Sequence, residues 1–211
     1  MDDIPIKNTG DYQEAAINKV MTDPELVTQS LKRIIGYGEK RKSVLIFCVS
    51  IEHCNIIRMA LLENGIVAGI VTGETDKAER EEILSDFKDG KLEYLINCEV
   101  LTTGFDATNI DTIICLRPTK SKSLFEQIVG RGVRKAEGKD DCLLVDMGGN
   151  LAEHGAIGSP LIMKEKKKKD EPEEAKSRIC PECEEFCPPA SKSCPDCGLS
   201  LIHISEPTRP Y

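Results

Sequence analysis

Two groups of residues have types and spacing suited to chemistry. The first is Gln127-Ile-Val-Gly-Arg131-Gly-Val-Arg134. On a helix, Gln127, Arg131 and Arg134 stand at i, i+4 and i+7 and share one face. Two guanidiniums on one face, with glycines between them that let another surface approach, form a device for gripping phosphate. The second group is Cys180-Pro-Glu-Cys183 and Cys194-Pro-Asp-Cys197, two C-x2-C knuckles with ten residues between them. Four thiolates so arranged suit one tetrahedral zinc. A segment this short has no core of its own, so the metal would supply most of its folding free energy. Cys187, between the knuckles, reads as a spectator or a substitute ligand.

These residues need a frame. Five short apolar or β-branched runs, Val44–Val49, Val67–Val71, Tyr94–Cys98, Thr112–Leu116 and Cys142–Asp146, read as strands. Helical patterns fall between several of them, at Glu52–Glu63, Lys77–Phe87 and Ser123–Val129. A further helix starts at Asp23-Pro24-Glu25, an N-cap followed by proline, and carries the stripe Val27, Leu31, Ile34 and Ile35 to Gly36. Near-continuous apolar strands alternating with helices predict an α/β fold with a parallel sheet covered on both faces. Ligands bind such sheets at the carboxyl ends of the strands. Ser50, Thr72-Gly73, Thr102–Asp106 and Arg117 all fall just past those ends.

The chain has 211 residues, enough for one α/β domain and a small appendage. Its net charge of −8 excludes a wholly basic nucleic-acid-coating protein, though not one that binds through a local groove and backbone amides. With 4% aromatic residues and no Trp, base stacking is not the main binding mode. No apolar run is long enough to span a bilayer. Met1-Asp-Asp-Ile-Pro5 lacks the basic and apolar regions of a signal peptide, and the expected location is the cytoplasm. Cys48, Cys98, Cys115 and Cys142 in strand-like runs, and Cys54 in a helical pattern, read as small core residues in a reducing compartment.

Several motifs then agree in order and spacing. Val44–Ser50, Thr72-Gly73, Arg80, Phe87-x-x-Gly90, Thr102-x-Gly104-Phe105-Asp106 and Gln127-x-x-Gly130-Arg131-x-x-Arg134 resemble the second RecA-like domain of superfamily 2 helicases. Arg117-Pro-Thr-Lys-Ser121 and Asp146-x-Gly148-Gly149-Asn150-x-x-x-His154-Gly155 bring the resemblance closest to RadD-type bacterial DNA helicases and relatives of type III restriction motors. Many of those relatives have an acidic residue where this chain has Thr103.

The resemblance implies an ATP-dependent DNA helicase or translocase. Arg134 would be the arginine finger on the γ-phosphate with Arg131 beside it, and Gln127 would couple both to a first motor domain. Gly104 and Asp106 would complete the nucleotide side, Asp106 meeting the ribose or organising the arginine helix. Ser50, Thr72, Gly73 and Thr102 would hold a nucleic-acid backbone, contacts that position without reading sequence. The two knuckles look like the zinc ribbon appended to RadD-type helicases, contacting DNA or a partner protein.

A phosphate-cradling G-x-x-x-x-G-K-[ST] between a strand and a helix is not found here. Gly36–Ser43 imitates it, but Arg41 replaces the second glycine and a strand follows. Asp170-Glu-Pro-Glu173 has the letters of a metal-binding acidic box but sits in a charged tether. The expectation is therefore a chain that does not hydrolyse ATP alone and whose Mg is held by another domain. It would be part of a longer helicase or one subunit of a split one, the alternative being a non-catalytic nucleic-acid-binding or adaptor subunit. The expected organisation is a connecting segment over 1–22, the RecA-like domain over 23–163, a charged linker over 164–179 and the zinc ribbon over 180–198. Residues 199–211 form a tail that reads as translated sequencing adaptor, so His203 is not taken as a ligand.

Overall fold

A computed structural model describes residues 4–7, 10–98, 100, 107–155, 178–183, 186–187 and 191–201. Two compact units divide the chain, Met1–Asn150 and Leu151–Tyr211. In the first, helices α1 (Glu14–Met21) and α2 (Pro24–Gly38) precede β1 (Val44–Phe47), α3 (Ile51–Glu63), β2 (Ala68–Val71), α4 (Lys77–Lys88), β3 (Tyr94–Asn97), β4 (Thr112–Cys115), α5 (Lys122–Gly130) and β5 (Leu143–Asp146). The short α6 (Asn150–His154) begins where the first unit ends.

The strands form one parallel sheet, as the apolar runs predict, and its order is β2-β3-β1-β4-β5. Its two faces are built by the twofold alternation of the strands. From β1, Val44 and Ile46 join Ile34, Ile57, Leu61, Ile96 and Ile114 on one side. Leu45 and Phe47 join Phe87, Leu95, Ile110, Ile113 and Ile128 on the other. Burial on both faces is why these segments read as continuous apolar runs. Of the five cysteines expected as small core residues, Cys48, Cys54, Cys98 and Cys115 are buried among them, and Cys142 is half-buried.

The helix starts follow the local chemistry. The Asp23 carboxylate accepts the N–H groups of Glu25 and Leu26 at 3.0 and 3.3 Å, with Pro24 leading α2. Asp76 caps α4 through the Ala78 N–H at 2.9 Å. The second unit carries the antiparallel pair β6 (Arg178–Ile179) and β7 (Phe186–Cys187). Its packed centre is Cys180, Cys187, Cys194 and Leu201, with Cys183 and Leu199 against them. Among the described residues no helix is long and apolar enough to cross a membrane.

Candidate nucleotide and metal sites

Ser121 caps α5 by accepting the Leu124 N–H at 3.2 Å, and Phe125, Ile128 and Val129 seat the helix on the sheet. The helix ends at Gly130 with Arg131 as its C-cap. Arg134 is therefore not on the helix, and the expected single helical face for Gln127, Arg131 and Arg134 does not form. Two glycines weaken the helix at this point, and a close approach fixes the exit. A Cβ on Gly132 would overlap Cys142 Sγ and lie 2.8 Å from Ile113 Cδ1. The smallness of Gly132 thus serves packing within this chain, whereas a Cβ on Gly130 would meet nothing within 4 Å.

In the resulting turn Arg131 is 7% exposed, Arg134 is half-buried and Val133 between them is 66% exposed. Gln127 is exposed, its amide donating to Ser123 Oγ at 3.4 Å. Because α5 leaves the carboxyl end of β4 and runs back, the turn lies over Ile113 and Cys142, toward the starts of β4 and β5. The arginine turn and the loop that launches α5 from β4 are thus at opposite ends of that helix, about 13 Å apart.

The front of α5 is braced by Asp11, which the sequence did not single out, and by residues of the motifs around Thr119 and Asn150. Asp11 accepts the Thr119 hydroxyl at 2.9 Å and the Lys120 N–H at 2.8 Å. Burial works against ionisation of Asp11, but the Lys120 and Tyr12 N–H groups and the Thr119 hydroxyl outweigh it and hold its carboxyl below the usual range. Thr119 Oγ1 in turn accepts the N–H of Ser121 at 3.0 Å. Asn150, 1% exposed, accepts the Thr119 N–H at 2.8 Å and donates to the Arg117 carbonyl at 3.0 Å and Asp146 Oδ1 at 2.9 Å. A Cβ on Gly148 would lie within 2.8 Å of Asn150 Nδ2, Arg117 O and Pro118 N. The Asp146-x-Gly148-Gly149-Asn150 pattern thus has a physical reason: it is the buttress of the loop that launches α5.

At the carboxyl rim, Ser50 Oγ caps α3 through the His53 N–H at 2.9 Å and bonds Asn18 Oδ1 on α1. Thr72 is 4% exposed; its Oγ1 accepts the Glu74 N–H at 3.2 Å, and its carbonyl accepts from Arg80 at 2.7 Å. Gly73 beside it is exposed. Thr102, Gly104 and Asp106 lie outside the described residues.

The Sγ atoms of Cys180, Cys183, Cys194 and Cys197 all lie within 4.8 Å of one another. Cys180–Cys197 and Cys183–Cys194 are 3.5 Å apart. A tetrahedron with Zn–S bonds of about 2.3 Å has edges of about 3.8 Å, so the four thiols fit such an ion. The Cys197 N–H, then that of Asp196, holds the Cys194 thiol down at about 6, toward the thiolate a metal requires. Burial instead pushes Cys187 up to about 11, and it stands outside the four-sulfur group.

The sequence pattern of the helicase conserved C-terminal domain matches residues 27–136. The chain belongs to the helicase family. This helicase C-terminal domain is 35% identical over 161 residues to the protein from Saccharomyces cerevisiae named for an ATP-dependent helicase, IRC3, covering 75% of this chain and 23% of that one. It is 43% identical over 112 residues to the Schizosaccharomyces pombe protein named for a mitochondrial ATP-dependent helicase, irc3, covering 53% and 18%. The chain thus spans about a quarter or less of the length of these curated relatives. A solved fragment assigned to an HsdR subunit of a type I restriction enzyme from Vibrio vulnificus YJ016 superposes with a TM-score of 0.54 at 27% identity, over 68% of this chain and 30% of that one. The helicase domain has the RecA-like fold expected from the motifs, a five-stranded parallel sheet flanked by helices.

Proposed function

We propose that this chain is the second motor domain of an ATP-dependent DNA helicase or translocase. It would supply Arg134 as the arginine finger and Arg131 as its neighbour to an ATP held mainly by a first RecA-like domain. The observation that carries this reading is the Arg131–Arg134 turn. It is seated on the sheet through Gly132, and it projects an exposed Val133 beside a half-buried Arg134.

In this role the guanidinium of Arg134 neutralises charge that builds on the γ-phosphate, and Gln127 relays the arrangement to the first domain. Mg is held by that first domain, with Gly104 and Asp106 completing the nucleotide side from this one. The carboxyl rim with Ser50, Thr72 and Gly73 takes the backbone of a nucleic-acid strand, with Thr102 as a further contact. The Ser50 and Thr72 hydroxyls already serve the fold there, so backbone amides and the exposed Gly73 carry more of that contact. Zinc on Cys180, Cys183, Cys194 and Cys197 supplies structure to the second unit.

The decisive experiment joins this chain to a first motor domain and measures nucleic-acid-stimulated ATP hydrolysis. Arg134→Ala should lower kcat by about 10³-fold or more with little change in KM. An unchanged ATPase would sink the motor assignment and favour an adaptor. Stimulation by duplex DNA, single strands and RNA in the same assay tests the choice of DNA.

A further inference from the structure

Beyond the arginines, one charged side chain at the back of α5 has no part in the roles above. Lys139 Nζ donates to the carbonyls of Gly132, Arg134 at 2.8 Å and Thr108 at 3.4 Å. An ammonium has three N–H donors, and here each has a backbone carbonyl to meet. Carbonyls near a helix C-terminus lack intrahelical partners, and a cation there is favourable. The three carbonyls come from two segments. Gly132 and Arg134 belong to the arginine turn, while Thr108 lies on the segment that leads into β4.

We infer that Lys139 is a positioning residue for catalysis, a three-point clasp that fixes the arginine turn and ties it to the segment leading into β4. Its ammonium meets backbone, so it acts through Arg134 rather than on the substrate. The backbone of Arg134 is held on two sides, by Gly132 against Ile113 and Cys142 and by Lys139 through two carbonyls. A misplacement of about 1 Å costs on the order of 10² in rate, so the clasp is a determinant of turnover. This inference rests on the assignment of Arg134 to the nucleotide.

The test is a double-mutant cycle on the chain joined to a first motor domain, read by single-turnover ATP hydrolysis. Lys139→Met removes the donors while keeping most of the length. The expected result is a kcat lowered about 10- to 100-fold with KM unchanged, and no further loss when Lys139→Met is added to Arg134→Ala. Equal losses in both backgrounds, or no loss in the first, would overturn the clasp. If Arg134→Ala alone leaves hydrolysis unchanged, the failure belongs to the arginine assignment instead. Should Lys139→Met not fold, Lys139→Arg carries the same cycle. Its planar fork keeps the charge but cannot meet three carbonyls as an ammonium does, so a smaller loss that vanishes without Arg134 supports the clasp, and full activity refutes it.

Discussion

Asn150 Oδ1 accepts the backbone N–H of Thr119 at 2.8 Å, and both residues are buried. The same carboxamide donates to the Arg117 carbonyl and to Asp146, so one side chain holds the loop between β4 and α5 from beneath. Asn150→Ala would strand the Thr119 N–H and the Arg117 carbonyl away from water, costing about 2–4 kcal/mol. Urea denaturation of the variant measures this directly; a loss below about 1 kcal/mol would show that the loop is held by other means.

The glycines around Arg131 should respond in opposite directions. Gly130→Ala places a methyl in open space at the end of α5 and should stabilise the chain by about 0.5–1 kcal/mol through helix propensity. Gly132→Ala drives a methyl into Ile113 and Cys142 and should destabilise it by about 1–3 kcal/mol. Thermal unfolding of the two variants checks the order. If the space beside Gly130 is reserved for another domain, Gly130→Ala also lowers ATP hydrolysis in the joined motor despite its added stability.

His53 is fully buried in α3, and among the described residues neither ring nitrogen has a hydrogen-bond partner. Burial therefore pulls its pKa down to about 4. With an unfolded value near 6.5, the unfolded chain binds the extra proton between about pH 6.5 and 4, so stability falls as pH drops through that window and is unaffected above it. The loss at pH 5 should be about 2 kcal/mol relative to pH 7.5. His53→Leu should remove that part of the slope; urea midpoints of both proteins at the two pH values would show an equal slope if the idea is wrong.

The second unit should carry one zinc per chain. Chelation should unfold residues 178–201 while leaving the sheet of the first unit intact, and Cys183→Ser should abolish binding. Cys187→Ser should retain the metal, because Cys187 lies outside the four-sulfur group. Metal content by mass spectrometry distinguishes these cases, and zinc lost from Cys187→Ser would give that thiol a ligand's role.

The sheet was legible because strands buried on both faces are written as unbroken apolar runs, as in Val44–Phe47 and Thr112–Cys115. Asp23 announced its helix because capping is a local transaction. The arginine spacing was legible but its conformation was not, since the exit from α5 depends on how closely Gly132 meets Ile113 and Cys142. Helix α1 escaped notice because it is only eight residues long, with Ile17 and Met21 its only buried positions. Asp11 and Lys139 are charged residues in polar surroundings, and nothing local separates them from solvated ones. Their meaning appears only with Thr119, 108 residues away from Asp11, or with Thr108, 31 away from Lys139.

The Asp11 and Asn150 contacts bear on how such a domain is inherited. The stretch that matches the helicase C-terminal pattern runs from 27 to 136. A gene rearrangement that carried only that stretch would deliver the arginines. It would leave behind Asp11, the acceptor for Thr119 and Lys120; Asn18, the partner of Ser50; and all of β5 and Asn150. The smallest heritable piece that keeps its own supports extends from before residue 11 to 150, so recombination breakpoints inside that span should be selected against even where they spare every motif.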